Sequence, residues 1–448
     1  MRKINISILT SLFLLINSNY VLARPKKCDP PPIKKVEVKK DPNHYFTSNG
    51  IEVILKKETT NQIVGLSVFI KGGSRNLTSE NAGIEKLLLQ AMMQGSKNYP
   101  KDKMVTELSK IGAEINSSSF FDYSAISLKT INKYFDKSFD IFQSLINSTL
   151  LEEKEVNLEK NKMEQNIKAN IDDPDEYVWK LVNSSFLKEH PYSNDFEGTL
   201  DSIKNINSKN LKEYLKNNFI GSKMLVVVTG NFDESIKNKL EKAFGKLPKG
   251  NYKYTPAPEV KSTKAIINID DRNIPTAYIA GRFTIPSLRD KDYPATYLAL
   301  RILSSKLNET VRTKKGLSYA VYSGASLRDA NSGYMYVTTT KPKESIGLMF
   351  EEVNKLKNQE VSKKELEGVI NLYYTEYFIQ MEPVLDRANK LAVSQIMTND
   401  YNNGYKLLEE FKKVTPKQIK EVVNKYLKNI HFGIIYKKEL IDEKDFIF

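Results

Sequence analysis

Apolar side chains along residues 81–100, NAGIEKLLLQAMMQGSKNYP, fall at Ile84, Leu87, Leu88 and Ala91, the i, i+3, i+4, i+7 spacing of one helix face. The opposite face carries Lys86, Leu89, Gln90 and Met93. Upstream, IEVILKKE and IVGLSVFIKGG alternate or run apolar and stop at Gly72 and Gly73, which reads as two strands. TAYIAGRFT, after residue 275, reads the same way. Helical periodicity follows in both regions, in DKSFDIFQSLIN and in ESIGLMFEEVNKLKN.

A second pattern repeats. INSKNLKEYLKNNFIGSKMLVVVTGNFD predicts a helix and then a buried strand, Met224 to Val228. VTPKQIKEVVNKYLKNIHFGIIYKKE predicts the same pair, with Thr415 capping, Pro416 in the first turn and a strand from Phe432 to Tyr436. Asn207 and Thr415 stand 208 residues apart, the spacing of one duplicated unit. Strands first, helices in the middle and a closing helix and strand predict an α+β fold. The chain reads as two similar domains, each a mostly antiparallel sheet with helices on one face.

Two stretches rich in Pro and Lys bracket the first unit: 24–43, an extended leader, and 246–262, a linker. The domains are then 44–245 and 263–448. Residues 1–23 combine Arg2 and Lys3 with an apolar run from Ile6 to Ile16 and a cleavage point after Ala23. That run is short of the roughly 20 residues of a membrane span, so it reads as a signal peptide. The chain is expected to be exported, to a periplasm or beyond, with no transmembrane segment.

Charge changes this picture little. Loss of Arg2 and Lys3 takes the formal charge from +14 to +12, and the lysines interleave with glutamates as on solvated helix faces. No nucleic-acid motif accompanies them. The lone Cys28 forms no internal disulfide, and Pro25, Lys26 and Lys27 before it do not suit lipid attachment. Catalytic patterns are missing as well. His44, His190 and His431 are the only histidines, none at helical spacing from another, so no single helix offers a zinc pair. G-x-S-x-G, G-x-G-x-x-G and Walker patterns are absent.

NAGIEKLLLQAMMQGSKNYP, MEQNIKANIDDPDE, HPYSNDFEGT, VVVTGNFD and LNETVRTKKGLSYAVYSG stand in an order and at a spacing that resemble the insulinase/pitrilysin-type family of inverted-motif zinc peptidases. That family's first helix bears H-x-x-E-H, two zinc ligands around a general-base glutamate. Matching Gly83 and the Gly95-Ser96 turn places Lys86 and Gln90 at the histidines and Leu89 at the glutamate. Counting back from Pro174 places Asn166 at the third ligand, with Glu164 two residues away and Glu159 at a commonly acidic position. The resemblance thus implies a member without metal or cofactor of its own.

VRTKKGLSYAVYSG resembles the family segment whose arginine and tyrosine hold the substrate around the scissile carbonyl, here Arg312 and Tyr319. On the residues alone, Arg312 could instead neutralise a helix end and Tyr319 pack at the start of a strand. Two functions follow from the resemblance. In one, the chain pairs with a zinc-bearing homologue and supplies Arg312 and Tyr319 for hydrolysis of extended peptides. In the other, it is a scaffold or peptide-binding protein of the same fold.

Overall fold

The structure, a computed structural model, describes residues 43–448. The segment read as a signal peptide, the leader up to residue 42 and Cys28 lie outside the described residues. The first half runs β1 (Asn43–Phe46), β2 (Glu52–Lys57), β3 (Ile63–Lys71), α1 (Ile84–Met92), α2 (Lys101–Ile111), β4 (Glu114–Ser119), β5 (Tyr123–Ile131) and α3 (Phe135–Asn147). It continues through α4 (Glu153–Asp172), α5 (Pro174–Phe186), α6 (Leu200–Asn205), α7 (Ser208–Asn218), β6 (Met224–Gly230) and α8 (Ile236–Phe244). The second half runs β7 (Ile266–Asp271), β8 (Ala277–Thr284), α9 (Tyr293–Leu307), a π-helical turn (Asn308–Lys314), β9 (Val321–Ala325) and β10 (Ser332–Thr339). It closes with α10 (Pro342–Asn358), α11 (Lys363–Met381), α12 (Val384–Thr398), α13 (Asn403–Lys413), α14 (Pro416–Tyr426) and β11 (His431–Tyr436).

The sheets are ordered β1-β2-β6-β3-β5-β4 and β7-β11-β8-β10-β9. In each, the last strand of the half slots between the first two of the repeated unit. It pairs parallel with β2 or β7 and antiparallel with β3 or β8. The other pairings are antiparallel, so the two halves are one topology used twice. The capping residues agree: Asn207 and Thr415 each close a capping box at the helix that delivers the inserted strand.

β6 and β11 are buried along their whole length, which requires cover on both faces. Val53, Leu55, Val226 and Val228 face the first half's own helices. Ile54, Leu225 and Val227 point the other way, onto Ala388, Leu391 and Ile396 of α12, a helix of the second half. The reverse also holds: Val178 and Val182 of α5 pack on Ala280, Tyr336 and Ile435 of the second sheet. A Cβ at Gly433 would lie 2.8 Å from the Val178 carbonyl oxygen, so glycine permits this approach of α5 to β11. Each half therefore covers one face of its own sheet, and each lends one helix to the other. Gln395 on α12 donates to Glu52 at 2.7 Å, and Tyr336 donates to Asp175 on α5.

A buried polar cluster ties the same junction. Asp329, between β9 and β10, accepts from Arg75 Nη1 at 3.0 Å, Arg289 Nη2 at 2.5 Å and the Ala257 N–H at 2.6 Å. Asp122, between β4 and β5, accepts from Tyr192 at 2.7 Å and from the Asp329 N–H at 3.1 Å. Burial pushes the Asp122 carboxyl above its usual range, against the pull of Tyr192 and Arg75.

Candidate functional site

Gly83 caps α1 at φ +86°, and a Cβ there would meet Ile203 Cδ1 at 2.5 Å and Gly198 Cα at 3.0 Å. Gly198, also in the left-handed region, faces it with as little room. The paired glycines lock HPYSNDFEGT against the start of α1, which sets Glu197 on the Lys86 ammonium as an ion pair. The same ammonium lies 5.9 Å from the centre of the Phe196 ring.

Ile84, Leu87, Leu88 and Ala91 are buried, as the spacing predicts. The opposite face is narrower than the sequence suggests. Leu89 is 1% exposed and belongs to the core, because α4 and β4 pack on that side of α1. Glu85 is buried too, accepting from Tyr214 at 2.5 Å and from Ser124. Lys86, Gln90 and Met93 remain half-buried, and the Gln90 amide has no hydrogen-bond partner among the described residues.

On α4, Asn166 is exposed, Glu164 is half-buried and Glu159 is buried. Glu159 accepts from Gln94 at 2.8 Å and Lys162 at 2.6 Å. The histidines stay apart. His44 meets Glu52 at 2.9 Å, His190 donates from Nε2 to the Pro258 carbonyl at 2.8 Å, and His431 lies between Ser185 and Ser262. Among the described residues no group of three or more His, Cys, Asp or Glu is placed to hold a metal. The donors at the motif positions do not fit zinc either: an ion-paired ammonium, a core leucine and two neutral amides.

In the second half, α9 passes into the π-helical turn that carries Arg312. Gly316, at φ +62°, ends it, and Leu317 N–H returns to the Val311 carbonyl at 3.0 Å. Ser318 pins the next step by donating to the Ala320 carbonyl at 2.8 Å. With both sides of the loop fixed, Arg312 is half-buried and Tyr319 is 91% exposed. Tyr319 does not pack against the strand that follows. Neither side chain has a hydrogen bond or ion pair among the described residues, and none joins them to Lys86, Leu89, Gln90 or Asn166.

β4 is an edge strand beside α1, with alternating exposure along Glu114–Ser119. Its outer backbone groups offer a pairing edge for an extended peptide. Residues that the sequence reading passed over also shape this region. Glu85 is one, and the Arg75, Asp122 and Asp329 cluster is another. Their common signal is charge inside otherwise apolar or turn segments.

One family model, described as insulinase (peptidase family M16), matches residues 52–200, and another, described as peptidase M16 inactive domain, matches residues 205–373. The chain belongs to the insulinase family. An uncharacterized zinc protease, YmxG, of Bacillus subtilis is 22% identical over 384 residues, 84% of this chain and 93% of that one. Zinc protease PqqE of Helicobacter pylori is 22% identical over 408 residues, 87% and 91% of the two chains. Mitochondrial-processing peptidase subunit beta of Neurospora crassa is 25% identical over 251 residues, 55% of this chain and 52% of that one.

Among solved structures, a peptidase M16 inactive domain from Pseudomonas fluorescens superposes with TM-score 0.80 at 18% identity, covering 89% and 98% of the two chains. The first half of the periplasmic protease PqqL from Escherichia coli gives TM-score 0.72 at 14% identity, covering 90% and 93%. At these identities the structural likeness establishes the insulinase-family fold. No helix among the described residues is long and apolar enough to cross a membrane.

Proposed function

We propose that this insulinase-family chain is the metal-free subunit of a two-chain peptidase. A zinc-bearing homologue supplies the metal site, and this chain supplies Arg312 and Tyr319. The observation that carries the reading is the contrast between the two segments. The zinc-motif positions are spent on an ion pair and on the core, whereas Tyr319 is 91% exposed on a pinned loop and Arg312, in the π-helical turn before it, has no ion pair or hydrogen bond among the described residues. A cation and a phenol presented in this way are suited to donate to the developing oxyanion of a tetrahedral intermediate. Bound in the partner, zinc would activate the attacking water. This chain holds the peptide, by strand addition along β4 and by the two donors at the carbonyl.

The relatives support the reading as far as their names go: two are zinc proteases and one is a subunit of a processing peptidase. The signal-peptide pattern, together with a periplasmic structural neighbour, supports export. The test is to express the chain with a zinc-bearing homologue from the same organism. Zinc is expected in the homologue alone and peptidase activity in the mixture alone. Arg312→Ala or Tyr319→Phe is expected to lower kcat by about 100-fold or more, the scale of losing an oxyanion donor. Full activity of the homologue by itself refutes the pairing and leaves the scaffold function.

A further inference from the structure

A cleft of about 500 Å³ opens in the second half among α9, α11, α12 and α13, outside everything assigned above. Tyr293 and Tyr297 are one helical turn apart on α9, and Tyr373 and Tyr377 are likewise on α11. Their rings form a continuous wall: Tyr293–Tyr297 at 6.0 Å, Tyr297–Tyr373 edge-on at 5.2 Å and Tyr373–Tyr377 at 6.3 Å. Phe411 backs the wall, stacked on Tyr297 at 5.5 Å. None of the four hydroxyls bonds to a described residue, yet none is sealed from solvent. Open to solvent, all four can donate to a group that enters the cleft and displaces water.

Lys390 on α12 also lines the cleft, half-buried, its ammonium 5.1 Å from the centre of the Tyr377 ring. It has no ion pair, Asp386 one turn away being exposed at the rim, and burial pushes its pKa down. The other charges at the cleft floor satisfy each other, Arg301 bonding both oxygens of Glu376 at 2.8 and 2.7 Å. Beside the exposed Asp386 carboxylate at the rim, which also acts on Lys390, the unmet chemistry is one cation, four hydroxyl donors and an aromatic wall. A bare phosphate has no use for the wall, and a neutral sugar has none for the ammonium. A peptide end uses all three: carboxylate, carbonyl oxygens and side chains. By the internal duplication, α9 and α11 are the counterparts of α1 and α4, so the cleft adjoins the second half's version of the motif-bearing helix pair.

We infer that this cleft binds the C-terminal end of a peptide, its carboxylate on Lys390 and its last side chains on the tyrosine wall. The inference rests on the peptide-handling function proposed above and names where a peptide tail is held. The test is fluorescence polarisation with labelled short peptides ending in an aromatic residue, as free acids and as amides, against the full chain. The acid is expected to bind at least about tenfold tighter than the amide. Lys390→Met should bring the acid down to the amide's affinity, Tyr373→Ala should weaken both, and Lys417→Met, an exposed lysine elsewhere, should change neither. Unchanged thermal melting of Lys390→Met keeps the comparison valid. Equal binding of acid and amide, indifference to Lys390→Met, or no binding of either peptide overturns the inference. Activity in the mixed-subunit assay that needs Arg312 while acid and amide bind alike refutes the cleft alone. Acid selectivity without activity in any mixture refutes the pairing alone.

Discussion

Asp329→Ala is expected to loosen the junction between the halves. The carboxylate is wholly buried and receives Arg75, Arg289 and the Ala257 N–H. Removing one member of a buried pair costs about 3 to 5 kcal/mol, because the other charge stays desolvated. Arg75 is only 5% exposed, but it keeps Asp122 at 3.4 Å and the Thr255 carbonyl at 2.8 Å, and Arg289 is 35% exposed. These residual partners favour the lower end, about 3 kcal/mol. The sole tryptophan suits the measurement: Trp179 on α5 stacks on Tyr336 of the second sheet at 5.6 Å. Its emission during urea unfolding reports separation of the halves, and the midpoint should fall accordingly. A loss below about 1 kcal/mol would refute the view that this cluster holds the junction, and would class it with surface pairs.

Leu89→Glu places a carboxylate in the core and should destabilise by about 3 kcal/mol or more, read by the same titration. Thr415→Ala removes the capping acceptor that receives the Gln418 N–H at 3.3 Å and should cost about 1 kcal/mol in the thermal or urea midpoint. Acid should weaken the fold through His190 and His431, whose pKa values burial pushes below 6.5. The neutral forms are bound in the folded state, so their contribution is complete above the unfolded value and is lost as pH falls through the folded ones. Gln at both positions should flatten stability against pH below 6.5. Asp122, whose pKa is raised, acts in the opposite direction and is unchanged by those variants. Gly83→Ala should destabilise the fold and lower the melting temperature, since the left-handed φ and the contact with Gly198 both exclude a side chain.

Much of the fold was legible because the pattern was local. Continuous apolar runs in LVVV and FGII announced strands buried on both faces, and Thr415-Pro416 announced the helix start. What supplied the second cover was not local. α12 follows β6 by a long stretch of chain, and nothing in its own amphipathic pattern says which sheet it will meet. Leu87, Leu88 and Leu89 in succession span more of a helix than one face, so periodicity alone assigned Leu89 outward; α4 and β4 bury it. Glu85 went unnoticed because its partners, Ser124 and Tyr214, are remote in sequence. The tyrosine cleft shows the same limit: spacing of four residues on α9 and on α11 was visible, but their convergence depends on the packing of the two helices.

The exchanged helices α5 and α12 also set when the molecule can finish folding. The first sheet has a bare aliphatic face, Ile54, Leu225 and Val227, until residues beyond Val384 exist to cover it. A fragment ending at the linker would carry that face into water, and the complementary fragment would carry Ala280, Tyr336 and Ile435. Each half alone thus leaves one sheet face without its cover. A ribosome making this chain must reach its last quarter before either sheet is sealed, so the nascent protein stays open long after its first sheet's strands have all been made.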